Sequence, residues 1–171
     1  MVSVSQIQTY LSCAKKWEYG YIEEITPRIE RPYLTIGKLC HVGMQVAMQT
    51  LWEIQDTVTD ECTAMQTLYN KALLAMKDSY TKYMDEVPLL DEEIPDMEQV
   101  WEDAKAVFIQ ALEEFEPLKY KVVSVMQNGK LKPALELHFV VPCAGSKGLH
   151  GFIDAILIDQ TTGFTWCTDY K

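Results

Sequence analysis

No run of apolar residues in the 171-residue chain reaches the length of a membrane span, which argues against a membrane-spanning protein. The N-terminus lacks the basic-then-apolar plan of a signal peptide, so the expected location is the cytoplasm of a bacterial or phage-infected cell. Cysteine is sparse. Cys13, Cys40, Cys62, Cys143 and Cys167 are odd in number, widely spaced and without a C-x-x-C pair. They exclude a disulfide framework and read as reduced thiols. Basic residues are outnumbered 15 to 25 by acidic ones, and the formal net charge of −10 excludes a nonspecific basic nucleic-acid binder. It does not exclude a metal-dependent enzyme acting on nucleic acid, because a bound cation inverts the charge at a carboxylate cluster. Such an enzyme is expected to hold DNA weakly without metal or a partner. Internal repeats and low-complexity tracts are absent. What remains is 48% hydrophobic residues over a length that suits one domain with a sizeable core.

The pattern runs helices first, over about residues 1–116, then strands over about 117–171. Ser3 or Ser5 can cap a short helix through Ile7, Tyr10 and Leu11. Residues 13–21 follow, then a polar loop with Pro27 and Pro32. A helix over about 35–55 puts Leu39, Val42, Val46 and Leu51 on an apolar stripe. Another, over about 60–84, uses Met65, Leu68, Ala72 and Met76. An acidic connector over 85–96, with Pro88 and Pro95, leads to a helix over about 97–115 that ends near Pro117. After that the period changes. Residues 120–126 read as a strand, Asn128-Gly129 as a hairpin turn, and 135–141 as the partner strand. Residues 149–158 and 164–170 form a second hairpin around 159–163. The expected layout is α+β, with N-terminal helices packed on a small antiparallel or mixed sheet.

Chemistry concentrates in the last third. Gly151-Phe152-Ile153-Asp154 lies in one apolar run, Asp169-Tyr170-Lys171 in the next, and Glu136 in the run before them. Side chains on a strand repeat every two residues, so Asp169 and Lys171 would share a face, and a neighbouring strand could bring Asp154 to it. Carboxylates beside an ammonium suit metal-assisted phosphodiester hydrolysis. The acids offer hard oxygen ligands to Mg²⁺, the ion activates water and stabilises the leaving oxygen, and the lysine helps place the water. The bare acid-x-Lys triplet is weak evidence, since 25 acids and 13 lysines produce about two such triplets by chance. Two are present. The other, Asp103-Ala104-Lys105, lies in a helical pattern where residues two apart do not face each other.

Four ordered segments together resemble the PD-(D/E)XK nuclease superfamily, specifically its RecB-like exonuclease branch with the CRISPR-associated RecB-like and AddB-type nuclease domains. They are the opening from Ser3 to Tyr21, Gly37-Lys38-Leu39-Cys40-His41, Gly151-Phe152-Ile153-Asp154, and Asp169-Tyr170-Lys171. The resemblance spans almost the whole chain and implies a restriction-endonuclease-like core. It implies His41, Asp154 and Asp169 as ligands of Mg²⁺ or Mn²⁺ and Lys171 as the catalytic lysine, with Glu136 in the looser position of a further acid. The imidazole of His41 suits Mn²⁺ better than Mg²⁺. The family continues past this lysine with a helix bearing Gln-x-x-x-Tyr. Gln6 to Tyr10 has that spacing at the wrong end, so the role is not carried over. The chain is accordingly expected to be a C-terminally incomplete piece of a longer nuclease, or a cut-down relative. Many branch members hold an iron–sulfur cluster with one early and three late cysteines. Cys13 stands in the early position, and one thiolate does not hold a cluster, so this chain alone does not support one.

Plainer readings stand beside these. His41 could be an ordinary helix histidine, Asp154 an edge-strand surface acid, and Glu136 the outward side of an alternating strand. Trp17, Tyr19 and Tyr21 could stack on unpaired bases, with core packing beneath the first helix as the plainer reading. Cys13 reads as a buried thiol and the acidic connector as a solvated loop. The leading function is a metal-dependent DNA exonuclease in recombination, repair or phage replication, with a helicase or recombination protein as possible partner. The alternative is an inactive nuclease-like module that binds DNA or a recombination partner.

Overall fold

The computed structural model describes residues 2–25, 32–86, 96–142 and 148–170. Pro27, Cys143, Lys171 and most of the acidic connector, including Pro88 and Pro95, lie outside the described residues. The described elements are, in chain order, β1 (Val2–Ser3), α1 (Val4–Ser12), α2 (Ala14–Tyr21), α3 (Pro32–Ile54), α4 (Glu61–Glu86), α5 (Met97–Glu113), β2 (Tyr120–Val122), β3 (Ser124–Gln127), β4 (Lys130–Pro133), β5 (Leu135–Val141), β6 (Leu149–Asp159) and β7 (Thr165–Thr168). The expected α+β class is the one adopted. The chain divides into a larger unit, Ile29–Leu135 with Asp154–Lys171, and a smaller one, Met1–Arg28 with Glu136–Ile153.

The larger unit is organised by apolar residues four apart on three helices. On α3 these are Leu39, Gly43, Ala47 and Leu51; on α4, Ala64, Leu68, Ala72 and Met76; on α5, Val100, Ala104, Phe108 and Leu112. Leu39, Leu51, Leu68, Ala72 and Met76 were legible as core. Val42, Val46 and Met65 are only half-buried, because the buried line runs through Gly43 and Ala47 on α3 and through Ala64 and Leu68 on α4. A Cβ on Gly43 would sit 2.6 Å from Met76 Sδ and 2.9 Å from Phe108 Cδ2. Ala155 and Leu157 of β6 join Phe108 in the same core. Burying a side chain such as Phe108 contributes about 1.5–3 kcal/mol. Helix α3 starts at Pro32 rather than inside a loop that contains it; the fixed φ of proline suits the first helical turn, where its missing N–H has no partner to lose.

In this unit β6 is flanked by β2 and β7, both antiparallel, with Tyr120 opposite Asp159 and Ala155 opposite Thr168. The expected strand over 120–126 breaks at Val123. Its first half pairs with β6, whereas β3 pairs with β4 in a separate two-stranded sheet. The turn Asn128-Gly129 is where it was expected, but its partner strand is Lys130–Pro133, not Leu135–Val141. Both turn residues have positive φ, 52° and 73°, and such a two-residue turn fixes Gln127 opposite Lys130 at once.

In the smaller unit β1 runs parallel to the start of β6, pairing Val2 with Leu149 and Ser3 with His150, which makes the sheet mixed. Two residues are too short to show a period, so this strand was not legible. Strand β5 also pairs with β6. Ser3 closes a capping box on α1: its Oγ accepts from Gln6 N–H, and its N–H donates to Gln6 Oε1. Helices α1 and α2 bury no residue, so Trp17, Tyr19 and Tyr21 are not core: Trp17 is half-buried and the two tyrosines are exposed. Cys13 is also exposed rather than buried, because its Sγ caps α2 by accepting from Lys16 N–H.

Candidate metal centre

His41 lies on α3 between the buried Leu39 and Gly43 but off their stripe, with 37% of its side chain exposed. One residue earlier, the Cys40 thiol donates to Ala104 O on α5 at 3.5 Å, tying the two helices together; burial pushes that thiol above its ordinary pKa. Asp154 lies on β6 directly before the core residue Ala155, with only 13% of its side chain exposed. His41 Nδ1 and Asp154 Oδ2 are 3.9 Å apart. Asp154 is thus not an exposed edge-strand acid, and His41 has its carboxylate beside it.

The chain after β7 is tied back onto this pair. Thr168 Oγ1 donates to Ala155 O at 3.1 Å, and the Tyr170 backbone N–H donates to Asp154 Oδ2 at 2.7 Å. The Tyr170 ring meets the His41 ring edge-on, with centroids 5.5 Å apart. Tyr170 therefore touches both members of the pair, a contact that sequence reasoning missed. Its position inside Asp169-Tyr170-Lys171 was visible, but its use of a backbone N–H and a ring edge was not.

Strand β7 ends at Thr168, so Asp169 does not lie on a strand as expected. Extending the register of Ala155 with Thr168 would set Asp169 opposite Asp154, but the next N–H turns to a side-chain carboxylate and the ladder stops. Asp169 is exposed at this strand end. Lys171 lies outside the described residues, so its shared face with Asp169 is not described either.

Glu136, in the smaller unit, is half-buried near the start of β5 with φ 49°, a left-handed backbone that costs a side-chain-bearing residue about 1–2 kcal/mol. The simple outward-facing alternation is broken there. Strain of this kind persists only where surrounding structure holds it, and it concentrates at functional positions.

The other acid-x-Lys triplet is accounted for on the helix surface. Asp103 accepts from Gln99 Nε2 at 2.7 Å, and Lys105 pairs with Glu102 at 2.7 Å. A second acid that sequence reasoning missed is the buried Asp159, whose signal was its place before Gln160-Thr161-Thr162-Gly163. Its Oδ1 accepts from the N–H groups of Thr161 and Thr162 at 2.8 and 3.1 Å. Burial alone would raise its pKa, but those two donors, helped by Lys119, hold it below the ordinary carboxyl value. It is a turn-forming acid.

The pair of His41 and Asp154 fits a divalent cation. Two ligands at about 2.1 Å from one ion lie roughly 3–4 Å apart, and the measured separation falls at the upper end of that span. One imidazole with carboxylate oxygen suits Mn²⁺ and similar ions better than an all-oxygen site does. Among the described residues no helix is long and apolar enough to cross a membrane. A family model described as the PD-(D/E)XK nuclease superfamily matches residues 1–171. No curated protein and no solved structure matches the chain.

Proposed function

The chain belongs to the PD-(D/E)XK nuclease superfamily, whose members use divalent metals, and on that premise we propose that it is a metal-dependent deoxyribonuclease: an exonuclease of the RecB-like branch, working in the cytoplasm in recombination, repair or phage replication. His41, Asp154 and Asp169 would hold one or two Mg²⁺ or Mn²⁺ ions, and Glu136 is the further acid that the family resemblance implies. Such an ion, when bound, makes water more acidic and offsets charge on the phosphate oxygens. The Tyr170 N–H holds the Asp154 carboxylate in one orientation. Lys171 would be the catalytic lysine, orienting the attacking water and offsetting charge on the phosphate. Trp17, Tyr19 and Tyr21 contact the DNA, and a helicase or recombination protein feeds the strand to the site. The observation that carries this reading is the 3.9 Å approach of an imidazole nitrogen to a largely buried carboxylate inside an apolar strand. An acid is costly there without a cation or hydrogen-bond donors.

The test is degradation of end-labelled linear DNA with Mn²⁺ or Mg²⁺. Activity is expected to stop on addition of a chelator. It is expected to fall about 100-fold or more in Asp154→Ala, since even residues that only support a metal ligand cost 10–100-fold when removed. Lys171→Ala should lose cleavage while keeping metal binding. Cleavage undiminished by Asp154→Ala would reject the assignment. One observation favours a second reading, a non-catalytic module that binds DNA or a recombination partner: the unit holding His41 and Asp154 carries the full −10 of the chain. That reading predicts metal binding without turnover.

A further inference from the structure

The smaller unit differs from the rest of the chain in charge and surface. Its two segments hold four basic and four acidic residues, so its formal charge is zero and the other unit carries all of the −10. Within Glu136–Ile153 the sole acid is Glu136. This unit also holds two of the three histidines of the chain, and they meet. The His138 and His150 rings have centroids 5.7 Å apart, and His138 lies 5.1 Å from the ring of Phe152.

Strand periodicity separates two faces. His150 and Phe152 are two apart on β6, so they share a side; Gly151 between them turns to the other, where the Phe139 ring occupies the space that a Cβ would fill, 2.7 Å from Phe139 Cζ. Phe139 is thus used in packing, whereas Phe152 is 61% exposed and His138 is exposed beside it. The result is a cluster of three rings inclined to one another by 62° and 45°, with Phe152 and His138 exposed and His150 half-buried, and two of the three carry ring nitrogens able to hydrogen-bond base edges.

We propose that His138, His150 and Phe152 form a stacking platform for unpaired nucleobases, which makes single-stranded DNA, or the frayed end of a duplex, the class of substrate the protein takes. The inference rests on the nuclease reading for the identity of the polymer. The occupant follows from chemistry on this surface. A polyanion is repelled by the acidic unit and tolerated by the neutral one. Exposed aromatic faces stack on any base, and only unpaired bases present their faces.

The test is fluorescence anisotropy of the full chain with a labelled single-stranded oligonucleotide and with the matching duplex, at fixed salt and with chelator present, so that binding is read without cleavage. Phe152→Ala is expected to weaken single-strand binding about thirtyfold, the middle of the range for loss of one stacked base. Phe152→Trp should preserve it, and His138→Ala should act in the direction of Phe152→Ala. Duplex affinity should change less than about twofold. Thermal melting of each variant shows whether it folds. Equal single-strand binding by wild type, Phe152→Ala and Phe152→Trp overturns the proposal. So does absence of wild-type binding, an equal loss on duplex, or a concentration-dependent dimer that Phe152→Ala dissolves. Cleavage with Mn²⁺, measured on the same proteins, separates the two claims. Selective loss of binding in a chain that never cleaves leaves the platform standing and rejects the nuclease. Cleavage with no selective loss does the reverse.

Discussion

At the scale of single residues, two helical glycines on α3 illustrate how packing sets the cost of one methyl group. Gly43 has Met76 Sδ and Phe108 Cδ2 within 3 Å of where a Cβ would stand, whereas Gly37 has nothing within 4 Å. Gly43→Ala is expected to lower stability by about 1–3 kcal/mol through overpacking. Gly37→Ala should raise it by up to about 1 kcal/mol through helix propensity. Urea unfolding of the pair checks both signs. Asp159 supplies a pH dependence. Its folded pKa lies below the ordinary carboxyl value, so its contribution is complete above the pKa of an unfolded aspartate and disappears as pH falls through the lower folded value. Asp159→Asn should therefore be less stable than the parent at neutral pH, with the gap closing in acid; urea midpoints from pH 7 to pH 3 test this. Asp154 was legible in the sequence because an acid amid Phe152, Ile153, Ala155 and Ile156 asks for a partner. Tyr170 and Asp159 were not, since one acts through its backbone and the other through neighbours in a turn.

At the scale of elements, helices were legible wherever four-residue repeats ran long, and α3, α4 and α5 depart from expectation by three residues or fewer at either end. The strands were less so. Pairing partners depend on contacts far apart in sequence, so the Asn128-Gly129 turn could be read but its partner strand could not. The β3–β4 hairpin stands as its own sheet within the larger unit, where Trp52 Nε1 donates to Ser124 Oγ at 2.9 Å. Gly129 has φ 73°, so Gly129→Ala should cost about 1–2 kcal/mol in that turn. Amide hydrogen exchange should quicken across β3 and β4 while α3 to α5 keep their protection, because such a hairpin opens locally. Uniform loss of protection would show instead that the hairpin unfolds only with the core. The β7 strand carries the same lesson for the site: a period of two read through Thr168 does not extend to Asp169, since the next backbone donor is taken by Asp154.

At the scale of the whole molecule, the order of helical and strand patterns foretold the α+β class and composition the acidic balance, but neither foretold how the charge divides between two units, one neutral and one bearing all of the excess. Nor did it foretell where the sulfur lies. Cys13, Cys62 and Cys167 are exposed, while Cys40 is half-buried and donates to Ala104 O. Three thiols at the surface make the protein open to covalent cross-linking between copies whenever reductant runs out. On a non-reducing gel, air-exposed samples should form ladders that dithiothreitol collapses. Peptide mapping after brief alkylation should find Cys13, Cys62 and Cys167 modified ahead of Cys40. Oxidised stock would then mimic true self-association in any sizing experiment, so the oligomeric state of this chain has a meaning only in a reducing buffer.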